Sequence, residues 1–149
     1  MSLPWVVDTC VVIDVLEADP RFGEASARLL AGRLSEGLIL CPITYVELGA
    51  AFDGDESLQN TFIDGMGVGR AEPWTAVDSA AAMGGWARYV RMRRTSGLAR
   101  RPVADVLIGA FACRFAGIIT RNPSDFSRLF PSLQILDPTP PAKLSGPVA

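Results

Sequence analysis

Four short apolar runs, Trp5-Val6-Val7, Leu38-Ile39-Leu40-Cys41, Ile118-Ile119-Thr120 and Leu133-Gln134-Ile135-Leu136, are separated by stretches with helical periodicity. This alternation constrains the fold more than any other feature of the chain. Brief runs rich in β-branched residues read as buried strands, and parallel strands need helical crossovers between them. The expected fold is α/β: one domain over residues 1–138, with a mostly parallel central sheet and helices on both faces. Residues 139–149 lack periodicity and are expected to form a mobile tail. A chain of 149 residues can bury a core of this kind without disulfides.

Helices are expected at Cys10 to Glu17, closed by Asp19-Pro20, and around Phe22, Ala25, Leu29 and Leu30. A third opens at Pro42-Ile43-Thr44, and Leu58, Phe62, Ile63 and Met66 mark a fourth. Glu72-Pro73-Trp74 is at best a short edge strand. A long helix follows from about Ala76 to Thr95, ended by Gly97, with Met83, Trp86 and Val90 as its core face and Arg88 and Arg91 opposite. Pro102 stands near the start of the next helix, where its missing N–H costs little.

Composition removes several chemistries. With no histidine, His-based acid–base catalysis, Ser-His-Asp triads and His-ligated metals are excluded. Cys10, Cys41 and Cys113 are odd in number, far apart and set among apolar neighbours, so they read as reduced core residues of a cytoplasmic protein. No run is long enough for a membrane helix, and Asp8 and Asp14 interrupt any signal-peptide core. The net charge of −2 does not argue against a polyanionic partner, because the basic residues are unevenly distributed. Six arginines and no acid lie between Arg88 and Arg101. Of these Arg88, Arg91, Arg94, Arg100 and Arg101, together with Arg121, are candidate RNA contacts, a solvated face being the equal alternative.

Chemistry therefore rests on carboxylates. Asp8 ends the first strand, where open α/β sheets bind ligands. Glu47 lies three residues after Thr44, the spacing of a capping box, yet its apolar neighbours favour a side chain turned toward Asp8. Asp105 falls in the first turn of its helix on the face of Ile108, Gly109 and Ala112. A carboxylate there needs a partner or an ion. Asn122 and Asp125 leave the end of another strand, where an Asx turn and helix cap would also suit them. Asp53, Asp55 and Glu56 read as a solvated turn and helix start. Asp14 is ambiguous between the margin of the site and an exposed or ion-paired acid. Clustered carboxylates without His or Cys partners call for Mg²⁺ or Mn²⁺, and with that ion for phosphodiester hydrolysis.

Four segments carry a resemblance: Asp8-Thr9-Cys10-Val11-Val12-Ile13-Asp14, Thr44-Tyr45-Val46-Glu47-Leu48, Ala104-Asp105-Val106-Leu107-Ile108-Gly109-Ala110, and Thr120-Arg121-Asn122-Pro123-Ser124-Asp125-Phe126. In order and spacing they resemble the signatures of PIN-domain ribonucleases, especially VapC-type toxins of toxin–antitoxin systems. The resemblance implies a PIN-like domain that cleaves RNA with Mg²⁺ or Mn²⁺. It implies Asp8, Glu47, Asp105 and Asp125 as catalytic, metal-holding acids, with Thr9, Thr120 and Asn122 in support. It also implies a homodimer and a cognate antitoxin whose basic side chain enters the acidic pocket. Cys10 departs from the serine or asparagine common after Asp-Thr in that family. Two other readings stand beside the toxin: an RNA-processing PIN nuclease outside any toxin–antitoxin pair, and a non-catalytic interaction module with an acidic pocket.

Overall fold

The computed structural model describes residues 2–94 and 102–141. Five strands, β1 (Trp5–Val7), β2 (Leu38–Ile39), β3 (Val68–Gly69), β4 (Gly117–Ile119) and β5 (Ile135–Leu136), form one sheet in the order β3-β2-β1-β4-β5. Every pairing is parallel, so the sheet is wholly parallel. The crossovers contain α1 (Thr9–Leu16), α2 (Gly23–Arg33), α3 (Pro42–Glu47), α4 (Glu56–Gly65), α5 (Ala76–Arg93), α6 (Pro102–Ala112) and α7 (Pro123–Leu129).

Side chains alternate along each strand, which sends neighbours to opposite faces. Val7 and Ile119 join Val11, Val12, Leu30, Leu48 and Ile63 in one core, whereas Val6 and Ile118 join Ile108, Phe111, Ala112 and Phe126 in the other. All four strand residues have no exposed surface. Helices therefore cover both faces, as the alternation of runs predicts.

Several local expectations change. The edge strand is Val68–Gly69 rather than residues 72–74, which form no strand. Pairing needs only Leu38↔Val68 and Ile39↔Gly69, and a two-residue strand carries almost no periodic signal. Along α5 the buried residues are Asp78, Ala82, Gly85 and Tyr89, whereas Met83 is 73% and Trp86 42% exposed. Size misleads here, because Phe130 occupies the space against this helix and small residues must face it. A Cβ on Gly85 would lie 2.5 Å from the Phe130 ring, and one on Gly109 of α6 2.6 Å from it. Of the three free cysteines, Cys41 is buried, Cys10 half-buried and Cys113 exposed just beyond α6, so Cys113 is not a core residue.

Arg114 ties the start of α5 to the end of α6, pairing with Asp78 and Glu72 while lying over Phe111 and Phe115. At the start of α5 the Asp78 carboxylate accepts from Thr75 N–H at 2.9 Å, one half of a capping box. The far end of α5, with Tyr89, Val90 and Met92, packs beside Val106 and Leu107 near the start of α6. Arg100, Arg101, Gly97 and residues 142–149, to which the sequence assigns phosphate contacts, a helix end and most of a mobile tail, lie outside the described residues. Among the described residues no helix is long and apolar enough to cross a membrane.

Candidate functional site

The wholly parallel sheet has one carboxyl edge, and the topology brings the predicted acids to it. Asp8 follows β1 directly, and its N–H still donates to the Ile119 carbonyl at 2.9 Å, so the residue is anchored in the sheet. It is also the N-cap of α1, where its Oδ1 accepts from Thr9 N–H at 2.8 Å. Glu47 ends α3, the helix after β2, and Asp125 lies in the first turn of α7, the helix after β4. Helix α6 runs back toward the start of β4, which places Asp105 in its first turn at the same edge.

A hydrogen-bond network joins part of this group. Thr120, fully buried after β4, donates to Asp8 Oδ2 at 2.8 Å and accepts from Asn122 N–H at 3.1 Å. The Cys10 thiol donates to the same Oδ2 at 3.3 Å, and the Asn122 amide lies 3.8 Å from its sulfur. Thr9 donates to Glu47 Oε1 at 2.7 Å, with the Thr44 hydroxyl 3.2 Å away. Glu47 is thus turned toward the Asp8 side of the fold. Thr44 caps nothing: α3 begins two residues earlier, with Cys41 as its N-cap.

Asp8 is 5% exposed, and burial pushes its carboxyl above the ordinary range, the nearby Glu47 charge adding to the rise while Thr120, Cys10 and Thr9 hydrogen bonds oppose it. Burial also pushes the Cys10 thiol up to about 12, with the Asp8 charge reinforcing it, so Cys10 acts as a neutral donor. Among the described residues, neither Asp8 nor Glu47 pairs with a cationic side chain. Two neighbouring acids without a counter-charge suit a hard divalent cation in donor chemistry. Among the described residues, however, no group of three or more Asp, Glu, Cys or His side chains stands in an arrangement that could hold a metal ion. Asp105 is half-buried and has an interaction of its own, and Asp125 is half-buried and outside the network.

The ambiguous Asp14 is resolved: it is buried and paired with Arg121 at 2.7 Å, the guanidinium lying over the Phe22 ring at 4.6 Å. Arg88 donates to the Leu129 carbonyl at the end of α7 and lies over Phe130, so it does not sit on an open helix face. Arg91 and Arg94 are exposed near the end of α5. Asn122 precedes α7 without a side-chain cap, its amide turning instead to Cys10. Sequence reasoning missed the parts of Thr44 and Cys10: a capping-box spacing concealed the first, and apolar neighbours concealed the second.

No protein-family model matches the chain, and no curated protein matches it.

Proposed function

We propose that the chain is a metal-dependent endoribonuclease whose site is the carboxyl edge of the sheet. The observation that carries this reading is the Asp8–Glu47 pair: two acids braced by Thr9, Thr120 and Cys10, one of them buried, with no cationic side chain paired to either among the described residues. Asp8 and Glu47 would hold Mg²⁺ or Mn²⁺, with Asp105 and Asp125 reaching the same edge from α6 and α7. Such an ion supplies a Lewis acid for the phosphodiester and lowers the pKa of water bound to it. The residues around it fix orientation. Thr120 and Cys10 restrain one oxygen of Asp8, Thr9 N–H restrains the other, and the Thr9 hydroxyl restrains Glu47. Exposed Arg91 and Arg94 offer phosphate contacts beside the start of α6.

The resemblance to VapC-type toxins extends the proposal to a cognate antitoxin and a homodimer. Support for self-association comes from exposed Met83 and Trp86 on α5 and Val103 on α6, which line an apolar hollow of the kind that a second copy can cover about a two-fold axis. The test of function is incubation of the purified protein with total RNA and Mn²⁺, beside an Asp105→Asn protein and an EDTA control. Cleavage that needs the metal and fails in the variant supports the reading. Cleavage by both proteins, or persisting in EDTA, contradicts it.

A further inference from the structure

At the opposite edge of the sheet from the acids, a crevice of about 330 Å³ opens between the α5–α6 pair and the segment leading into β5, within the range of about 300–1,000 Å³ typical of small-molecule sites. Arg88, Cys113, Phe115, Phe130, Ser132 and Gln134 are among the residues that line it, and no acid is among the described ones. Its location follows from the ladder: Ala116, also in the wall, donates to the Pro4 carbonyl before β1, and the Gln134 carbonyl accepts from Ile118 at the start of β5.

Arg88 is the one arginine among the described residues that is partly buried and has no carboxylate partner. Its Nε donates to the Leu129 carbonyl, which fixes the plane of the guanidinium, and its charge lies over the Phe130 ring at 5.5 Å. Phe130 is in turn wedged into the Gly85/Gly109 notch and is 4% exposed, so the platform under Arg88 is rigid. A guanidinium carries five N–H donors in a fork suited to planar or tetrahedral oxyanions. The Leu129 carbonyl uses one, and the two terminal nitrogens have no protein acceptor among the described residues. A charge-bearing fork held in place beside an aromatic wall, with donors left over, is the anatomy of an anion site.

We propose that this crevice binds a small organic oxyanion, a carboxylate or phosphate ester, with its head on Arg88 and its apolar body against Phe115 and Phe130. The inference is independent of the nuclease reading, since it shares no residue with the acidic edge. Cys113, exposed in the wall, reports occupancy without being part of the chemistry.

The experiment follows alkylation of each cysteine by N-ethylmaleimide, read by peptide mass spectrometry, in the full chain with phenyl phosphate, benzoate or neutral phenol. At roughly ten times its dissociation constant, phenyl phosphate or benzoate should slow Cys113 alkylation about ten-fold, saturably, and leave Cys10 unchanged. Phenol should give little protection, and the folded Arg88→Gln protein should lose the effect, with Arg88→Lys as the variant to use if glutamine unfolds the chain. Equal protection by phenol, protection undiminished in both Arg88 variants, or no saturable protection by either anion would each overturn the proposal. So would protection by an RNA oligonucleotide alone.

Discussion

A single buried carboxylate sets the energetics at the site. Asp8 has its folded-state pKa raised above the ordinary 3.8, chiefly by burial. A raised carboxyl binds more protons folded than unfolded, so its contribution is fully present below the unfolded pKa and is lost as pH rises through the folded one. In EDTA, the wild type should therefore lose stability relative to Asp8→Asn as pH climbs from about 4, and added Mn²⁺ should narrow that gap. Denaturant melts at several pH values check this, and a pH-independent difference would count against it. The Asp14–Arg121 pair differs from it in that a guanidinium lies 2.7 Å from the buried carboxylate. Arg121→Met strands a buried carboxylate and should cost about 3 kcal/mol in chemical denaturation. Adding Asp14→Leu should recover much of that loss, since an apolar pair leaves no charge unpaired.

Helices pack here by shape more than by hydrophobicity. The Phe130 ring fills the notch where α5 meets α6, and the closest approaches fall at Gly85 and Gly109. Gly85→Ala or Gly109→Ala should destabilise the chain by about 1–3 kcal/mol through overpacking, and Phe130→Leu in the same chain should relieve part of it. Urea melts of the single and double variants measure both effects. This notch also explains what the sequence conceals. The helical period of α5 is plain, but its buried face carries Ala82 and Gly85, while Met83 and Trp86 point outward. A reading that assigns large apolar residues to the core inverts such a face. Strand β3 is illegible for another reason: two residues are too few to show a period, and Gly69 has no strand preference to add to that of Val68. By contrast, Trp5–Val7 and Gly117–Ile119 are buried on both faces, and their apolar runs are legible.

At the scale of the whole molecule, the parallel order β3-β2-β1-β4-β5 puts the elements that carry Asp8, Glu47, Asp105 and Asp125 at one edge, where Thr9 joins Asp8 to Glu47. The alternation of runs makes that edge predictable, and strand ends mark Asp8 and the Asn122/Asp125 turn, whereas Thr120 is marked only through the resemblance. Thr9 is marked only through the resemblance, and the contacts through Thr44 and Cys10 are not legible, because they join residues 35 and more positions apart or depend on rotamers that no spacing encodes. The exposed α5–α6 patch belongs to this scale too. Trp86→Glu should convert the proposed dimer to a monomer by light scattering without loss of helical signal, and a wild-type monomer at high concentration would remove the patch as a self-association face. The central claim, that Asp8 and Glu47 form a cation site, is tested most directly by calorimetric titration of Mn²⁺ into the wild type, Asp8→Asn and Glu47→Gln proteins. The account predicts saturable binding in the wild type that weakens at least about ten-fold in either variant. Binding of equal strength in all three, or none in the folded wild type, would contradict it.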